Sequence, residues 1–578
     1  MLQDDTNVGN GTLETARRPA RPVHDHLGKR HCQLAAVIVY GRNLAFRYNA
    51  LRRRQPPGIA EMGIVEKTHA AAPSTLADVD RFRLRRFVEG LGDELETVSE
   101  PTDLADVAAI LEGNPKAVLF RAVGPERQAL VGNVTGSRAR IARAFGVKPN
   151  ELLPELLRRL RSKPDVLDVS RAEAPVQEVV RTGDDADLTT LPVHLGHGAD
   201  GAPYISSSID FVVDPRTGWT NVGVRRLMLR GRREAGIDLV SPSDLRAIYE
   251  ASAAAGKPLP VSFVVGAHPI DHIAAVMRLP VDELGLVASL RDAPLPVVKC
   301  VSNDIRVPAD AEWVLEGYLD PRGHVEAEGP YGEFLGYYGA LKRNPVFHLT
   351  AITHRRDALF QTSTIGGWSL ARTDTALLNA LRTEVMIWRA LETAVREPLA
   401  VHATASSGGM FNLRVALRQR VPGEARNAIA ACFGALVNVK NVFIVDPDVD
   451  IFSDEQMDWA LATRFQPDRD LMVVEGMRTL PLDPSLTGAR TGAKAGFDLT
   501  WPFGTSTRIE TRVPEPPRFE GDRFPSVAAA LAQGPKFFEE LMAAVGSRDG
   551  REIVLALDVL RQKGLDRDGE GRYFIQSK

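Results

Sequence analysis

Between Asp374 and Glu397 the chain carries a helical stripe, Leu377, Leu381, Val385, Trp388, Leu391 and Val395, that ends at Pro398. A helix this long with one apolar face must be packed, and it divides two stretches of different character. Before it, short strand-like runs (Ile205 to Val213, Val261 to Val265, Val297 to Val301, Val346 to Ile352) are separated by Gly and Pro, the pattern of a β-rich domain and of a barrel in particular. After it, Phe411, Leu413, Val415 and Leu417 alternate as a half-buried strand. A helix through Ala425 to Leu436, a strand Val442 to Val445 and a helix after Ser453 follow, which reads as a second α/β domain. The whole, 578 residues, is too long for one core.

Upstream, Leu104, Val107, Ala108, Ile110 and Leu111 form a helical stripe, Ala117 to Val123 reads as a buried strand, and Arg138 to Phe145 as a helix capped by Gly146. Residues 1–75 are rich in Arg and His with little periodicity and read as a poorly ordered extension. Two helical stretches near 526–545 and 551–562 close the chain. A net charge of −3 provides no global field toward nucleic acid. No apolar run is long enough to span a bilayer, and Cys32, Cys300 and Cys432 lack CxxC spacing, as expected of a protein in a reducing cytoplasm.

Two clusters carry candidate chemistry. In Glu326-Ala327-Glu328-Gly329-Pro330-Tyr331-Gly332-Glu333, Pro330 and the glycines exclude a helix and let backbone approach a ligand closely. Glu328 and Glu333 can converge across that turn, and paired acids in a confined site favour a bound proton on one of them. A solvated acidic turn is the plainer alternative. In Asn221-Val222-Gly223-Val224-Arg225-Arg226, the amide offers a neutral oxygen ligand and the guanidinium a carboxylate clamp; a basic strand end facing water explains the pattern as well.

In chain order, the Asn221 to Arg226 segment, Pro296 to Asp304 leading to Val307-Pro308-Ala309, and Glu328 to Glu333 with Gly336-Tyr337-Tyr338 resemble the UbiD family. The similarity extends to Asp446 through Ile451, Thr463-Arg464 and Gly492 to Gly496, and covers about residues 78 to 505. The resemblance implies an α/β multi-domain protein: an FMN-binding split-barrel-like cofactor domain (76–200 its N-terminal α/β part, 201–372 the barrel), a linker helix (373–398), an α/β oligomerisation domain (399–505) and a helical tail (506–578). It also implies prenylated FMN, supplied by a UbiX-type flavin prenyltransferase, and decarboxylation of an aromatic, heteroaromatic or α,β-unsaturated acid through a covalent adduct with that cofactor, reversible at high CO2. By motif position, Arg226 would pair with Glu328 and orient the substrate carboxylate, and Glu333 would deliver the proton that replaces CO2.

Asn221 and Glu283 match two ligands of a divalent metal, Mn²⁺ or Mg²⁺. Val224 and Arg225 fall in the cofactor-binding stretch, and Lys494 matches a lysine near the cofactor. Where many relatives carry a histidine ligand this chain has Asp244, which reads equally as a metal ligand and as a helix N-cap. Two acids and a flavin phosphate would leave the metal cluster net negative, so K⁺ or Lys494 would help to balance it. A homodimer or homohexamer is implied. The rival readings are an FMN-dependent split-barrel oxidoreductase, which leaves Arg226, Glu328 and Glu333 idle, and a non-catalytic subunit of a carboxylase complex. Phe334 and the Thr362 to Trp368 loop are the pocket-lining candidates.

Overall fold

The computed structural model describes residues 78–505 and 508–576; the N-terminal extension lies outside the described residues. Six antiparallel strands close into a barrel. Trp313–Leu319 pairs with Leu259–Val265, followed by Tyr204–Val213, Thr220–Leu229, Glu234–Ile237 and Val346–His354, which returns to Trp313–Leu319. Closure leaves no barrel edge unpaired. Leu259, Val261, Phe263 and Val265 alternate into the barrel interior with Leu227, Leu315 and Phe347, while Val264 faces the neighbouring helices.

Outside the barrel, the helices Pro269–Val276, Glu283–Arg291 and Asp374–Ala394 share one continuous core with the C-terminal sheet. That sheet has the order Pro398–Ala403, Asn412–Leu417, Asn441–Val445, Thr491–Asp498, Leu471–Arg478. The long helix starts on a Thr373 cap. Its first residue, the buried Asp374, accepts from Thr135 N (2.6 Å), Thr135 Oγ1 (2.8 Å) and Thr364 N (2.9 Å), tying it to the N-terminal part and to the loop after the barrel. It ends at Ala394, before Pro398, which instead opens the next strand. A proline also bars helical backbone in the residue before it, so the turn is lost upstream of the ring.

Three barrel strands escape a reading by apolar runs. Thr220–Leu229 carries Gly223, Arg225 and Arg226, Trp313–Leu319 carries Glu316 and Gly317, and Glu234–Ile237 is short. The run near Val297 forms Leu295–Lys299, which belongs to a separate three-stranded sheet with Val166–Asp168 and Arg306–Pro308. No helix among the described residues is long and apolar enough to cross a membrane.

Candidate active site

The strand Thr220–Leu229 positions Arg226, and the turn positions its partners. Glu326–Glu328 pairs with Lys342–Asn344, and Tyr331–Gly332 with Tyr338–Gly339, so Glu328 ends one short ladder and Glu333 directly follows the other in one folded-back loop. Gly329 takes φ +95°, a conformation open to glycine, and a Cβ at Gly339 would meet Glu333 Oε1 at 2.7 Å. The Arg226 guanidinium grips Glu328 at two points, Nε to Oε1 at 3.0 Å and Nη2 to Oε2 at 3.3 Å, and Nη1 donates to Glu333 Oε1 at 3.0 Å. It lies 4.3 Å above the Tyr331 ring, which fixes its plane.

Three further residues complete this centre. Arg226 Nη2 also donates to Asp238 Oδ2 at 3.0 Å; Lys342 Nζ lies 2.9 Å from that oxygen and 3.6 Å from Glu333 Oε1; Asn344 Nδ2 donates to Glu328 Oε2 at 3.2 Å. Burial opposes ionisation of Asp238, but Arg226 and Lys342 outweigh it and hold the carboxyl at about 2. The same three carboxylates overcome the burial of Arg226 and raise its pKa. With every group ionised, Glu328, Glu333 and Asp238 exceed Arg226 and Lys342 by one negative charge. Asp238, Lys342 and Asn344 carry no local motif. Only the antiparallel return of Lys342–Asn344 onto Glu326–Glu328 brings two of them in.

Five residues up the strand from Arg226, roughly 17 Å away, stands a second charged cluster. Asn221 Nδ2 donates to Glu283 Oε2 at 2.8 Å, and Val222 N donates to the same oxygen. Burial pushes the Glu283 carboxyl up to about 8, and the charges of Asp210 and Asp244 add to it. Asp210 is fully buried, 3.1 Å from Arg225 Nε but without a well-formed hydrogen bond to either oxygen, and burial raises it to about 6. Desolvation and the charges of Arg225 and Arg478 lower Arg278; burial, then Arg278, brings Arg382 down to about 10, with its Nε buried and unpaired. Arginines can bind a phosphate, and carboxylate and amide oxygens a divalent cation. Among the described residues no group of three or more His, Cys, Asp or Glu is arranged to hold a metal.

Asp244 is the exposed first residue of the helix Asp244–Ala254, and its charge reaches Glu283. The N-cap is Ser243, whose Oγ accepts from Arg246 N at 3.2 Å, so Asp244 does not cap the helix. Ser243→Ala should therefore cost about 1 kcal/mol by thermal melting, whereas Asp244→Ala should leave the melting temperature nearly unchanged. Lys494 is not brought to either cluster. It is buried in the C-terminal sheet, with Nζ on the Phe433 (3.2 Å) and Leu436 (2.9 Å) carbonyls at the end of the helix Glu424–Ala435, and burial lowers it to about 8. A cavity beside the Arg226 centre is lined by His194, His197, Asp200, Tyr204, Tyr331 and the Ser363–Gly366 part of the loop singled out above. Phe334 lies elsewhere, against Gly408 of the C-terminal domain.

Three domain families named for 3-octaprenyl-4-hydroxybenzoate carboxy-lyase match this chain: its N-terminal domain over 92–160, its Rift-related domain over 168–368 and its C-terminal domain over 376–499. Carboxy-lyases are thus the class in which this barrel and its arginine–carboxylate centre belong. The anhydromevalonate phosphate decarboxylase of Methanosarcina mazei is 32% identical over 412 residues, 70% of this chain and 93% of that protein. The phenolic acid decarboxylase of Sedimentibacter hydroxybenzoicus is 30% identical over 461 residues, 75% and 95% of the two chains. The structure of the UbiD-class enzyme HmfF from Pelotomaculum thermopropionicum in complex with FMN superposes with TM-score 0.70 at 33% identity, covering 75% of this chain and 97% of its own. The chain belongs to the UbiD family.

Proposed function

We propose that this chain is a prenylated-FMN-dependent decarboxylase acting on an aromatic, heteroaromatic or α,β-unsaturated carboxylic acid. The observation that carries the reading is the Arg226 guanidinium clamped between Glu328 and Glu333 at 3.0 Å on each side. The HmfF structures in complex with FMN and with prFMN support the cofactor class. Asn221, Glu283 and Asp244 would hold Mn²⁺, and Arg225, Arg278 and Arg382 would face the flavin phosphate. Lys494 has no part in this reading, because its ammonium is committed to helix-end carbonyls.

Decarboxylation of a free acid is slow because the electron pair of the broken carbon–carbon bond has nowhere to go. Prenylated FMN, when bound, supplies an electron sink for that pair. The protein's own residues do the rest. Arg226 presents its remaining Nη1 hydrogen to the substrate carboxylate, held in plane by Glu328 and the Tyr331 ring. Glu333 delivers a proton to the carbon that loses CO2, so that one proton enters for each CO2 that leaves. Lys342, shared between Asp238 and Glu333, steadies the carboxylate that remains.

The test is to purify the chain after co-expression with a flavin prenyltransferase, weigh the bound flavin, and assay CO2 release from a panel of such acids. A prenylated flavin mass with CO2 release supports the reading. Plain FMN with hydride-transfer activity, or no CO2 release by protein shown to hold the prenylated cofactor, contradicts it. The metal assignment has its own readout: Asp244→Ala should raise the Kd for Mn²⁺ about tenfold or more, and an unchanged Kd removes Asp244 from the site.

A further inference from the structure

Past residue 499, where the matched family domains end, the chain carries a small module with its own core of Val527, Leu531, Leu541, Ile553, Leu557 and Leu560. Its order is helix Val527–Leu531, an extended Lys536, helix Phe538–Val545, helix Gly550–Leu560, then strands Leu565–Arg567 and Tyr573–Ile575. The two strands are antiparallel, and Lys536 bridges to Tyr573 through reciprocal backbone hydrogen bonds of 3.0 and 2.8 Å. Helix, strand, helix, helix and a two-stranded wing is the connectivity of a winged helix–turn–helix.

In helix–turn–helix modules the recognition helix presents its outer face to the ligand. Here that outer face is apolar at its centre: Val554, Leu555 and Val559 are 55%, 69% and 69% exposed, while Ile553, Leu557 and Leu560 point inward. Residues 550–576 hold five basic and five acidic side chains, so the electrostatic drive that nucleic-acid binding relies on is missing. The face is instead complementary to itself. If two such helices pair antiparallel about an axis between residues 554 and 555, Arg551 falls opposite the partner's Asp558, and the reverse pair forms across the axis. Val554 meets the partner's Leu555, and Val559 meets the partner's Gly550, which has no side chain to obstruct it. Within one chain Arg551 pairs with Asp549 and Asp558 with Arg561, both at exposed positions where ion pairs are weak and readily exchanged.

We propose that the helix Gly550–Leu560 is a homotypic docking surface through which two copies of this chain pair antiparallel, an isologous contact. Sedimentation velocity of the full chain over a concentration series tests it. The wild type should show a step to twice the mass. Arg551→Asp and Asp558→Arg should each move its midpoint about tenfold or more to higher concentration, and the double reversal should return it toward wild type. Leu555→Gln, which leaves the charges in place, should weaken the same step. Single reversals without effect, a double reversal that does not recover, or a midpoint unmoved by Leu555→Gln each overturns the proposal.

Discussion

Glu333→Gln is expected to cut turnover about a hundredfold or more, the usual cost of losing a general acid, while the protein keeps its flavin. The amide preserves the shape of the side chain and can still accept from Arg226 Nη1, now 3.0 Å from the carboxylate, so the clamp on Glu328 stays in place. What the amide lacks is a proton it can transfer to carbon. Steady-state CO2 release, normalised to bound cofactor, reads the effect. Turnover near the wild-type level in Glu333→Gln would take this residue out of the reaction.

A second large effect is expected at Arg226. Arg226→Met keeps most of the side-chain volume but removes the cation that Glu328, Glu333 and Asp238 share. Glu328 is fully buried, and breaking a buried pair from one side costs about 3–5 kcal/mol. The variant should therefore lose activity and also melt well below the wild type. Arg226→Lys tests the geometry separately from the charge. A point charge on a flexible stem cannot make the two-point grip on Glu328 and the contact to Glu333 together, so stability should recover in part while activity does not. An Arg226→Met protein of unchanged melting temperature would mean that the carboxylates find their charge balance elsewhere, with Lys342 the first place to look.

The parts of this account legible in the sequence are those written into contiguous residues. The Glu326–Glu333 turn declares itself through Pro330 and its flanking glycines, and the long helix through its stripe. Arg226 becomes meaningful only beside that turn, because an arginine on a glycine-bearing strand has a plain surface reading. Asp238, Lys342 and Asn344 are invisible for a physical reason: Lys342 and Asn344 arrive by their strand's return onto Glu326–Glu328, and Asp238 meets Asn344 through a side-chain contact across more than a hundred residues, and no local spacing encodes either. Asp244 shows the opposite failure, since an acid before an apolar helical run suggests a cap, but Ser243 one residue earlier has the extended backbone and the hydroxyl that do the capping. The C-terminal wing escapes a reading by apolar runs because its strands are only three residues long, with Asp568-Gly569-Glu570-Gly571 turning between them.

The central claim is that the Arg226 centre exchanges a carboxyl group for a proton. The most direct measurement follows the isotope at the carbon that loses CO2, in D2O, with protein loaded with prenylated flavin and a substrate from the acid panel. The account predicts one deuterium at that carbon in the product for each CO2 released, with rates falling together in Glu333→Gln. CO2 released without deuterium at that position, or deuterium incorporated at the wild-type rate by Glu333→Gln, would contradict it.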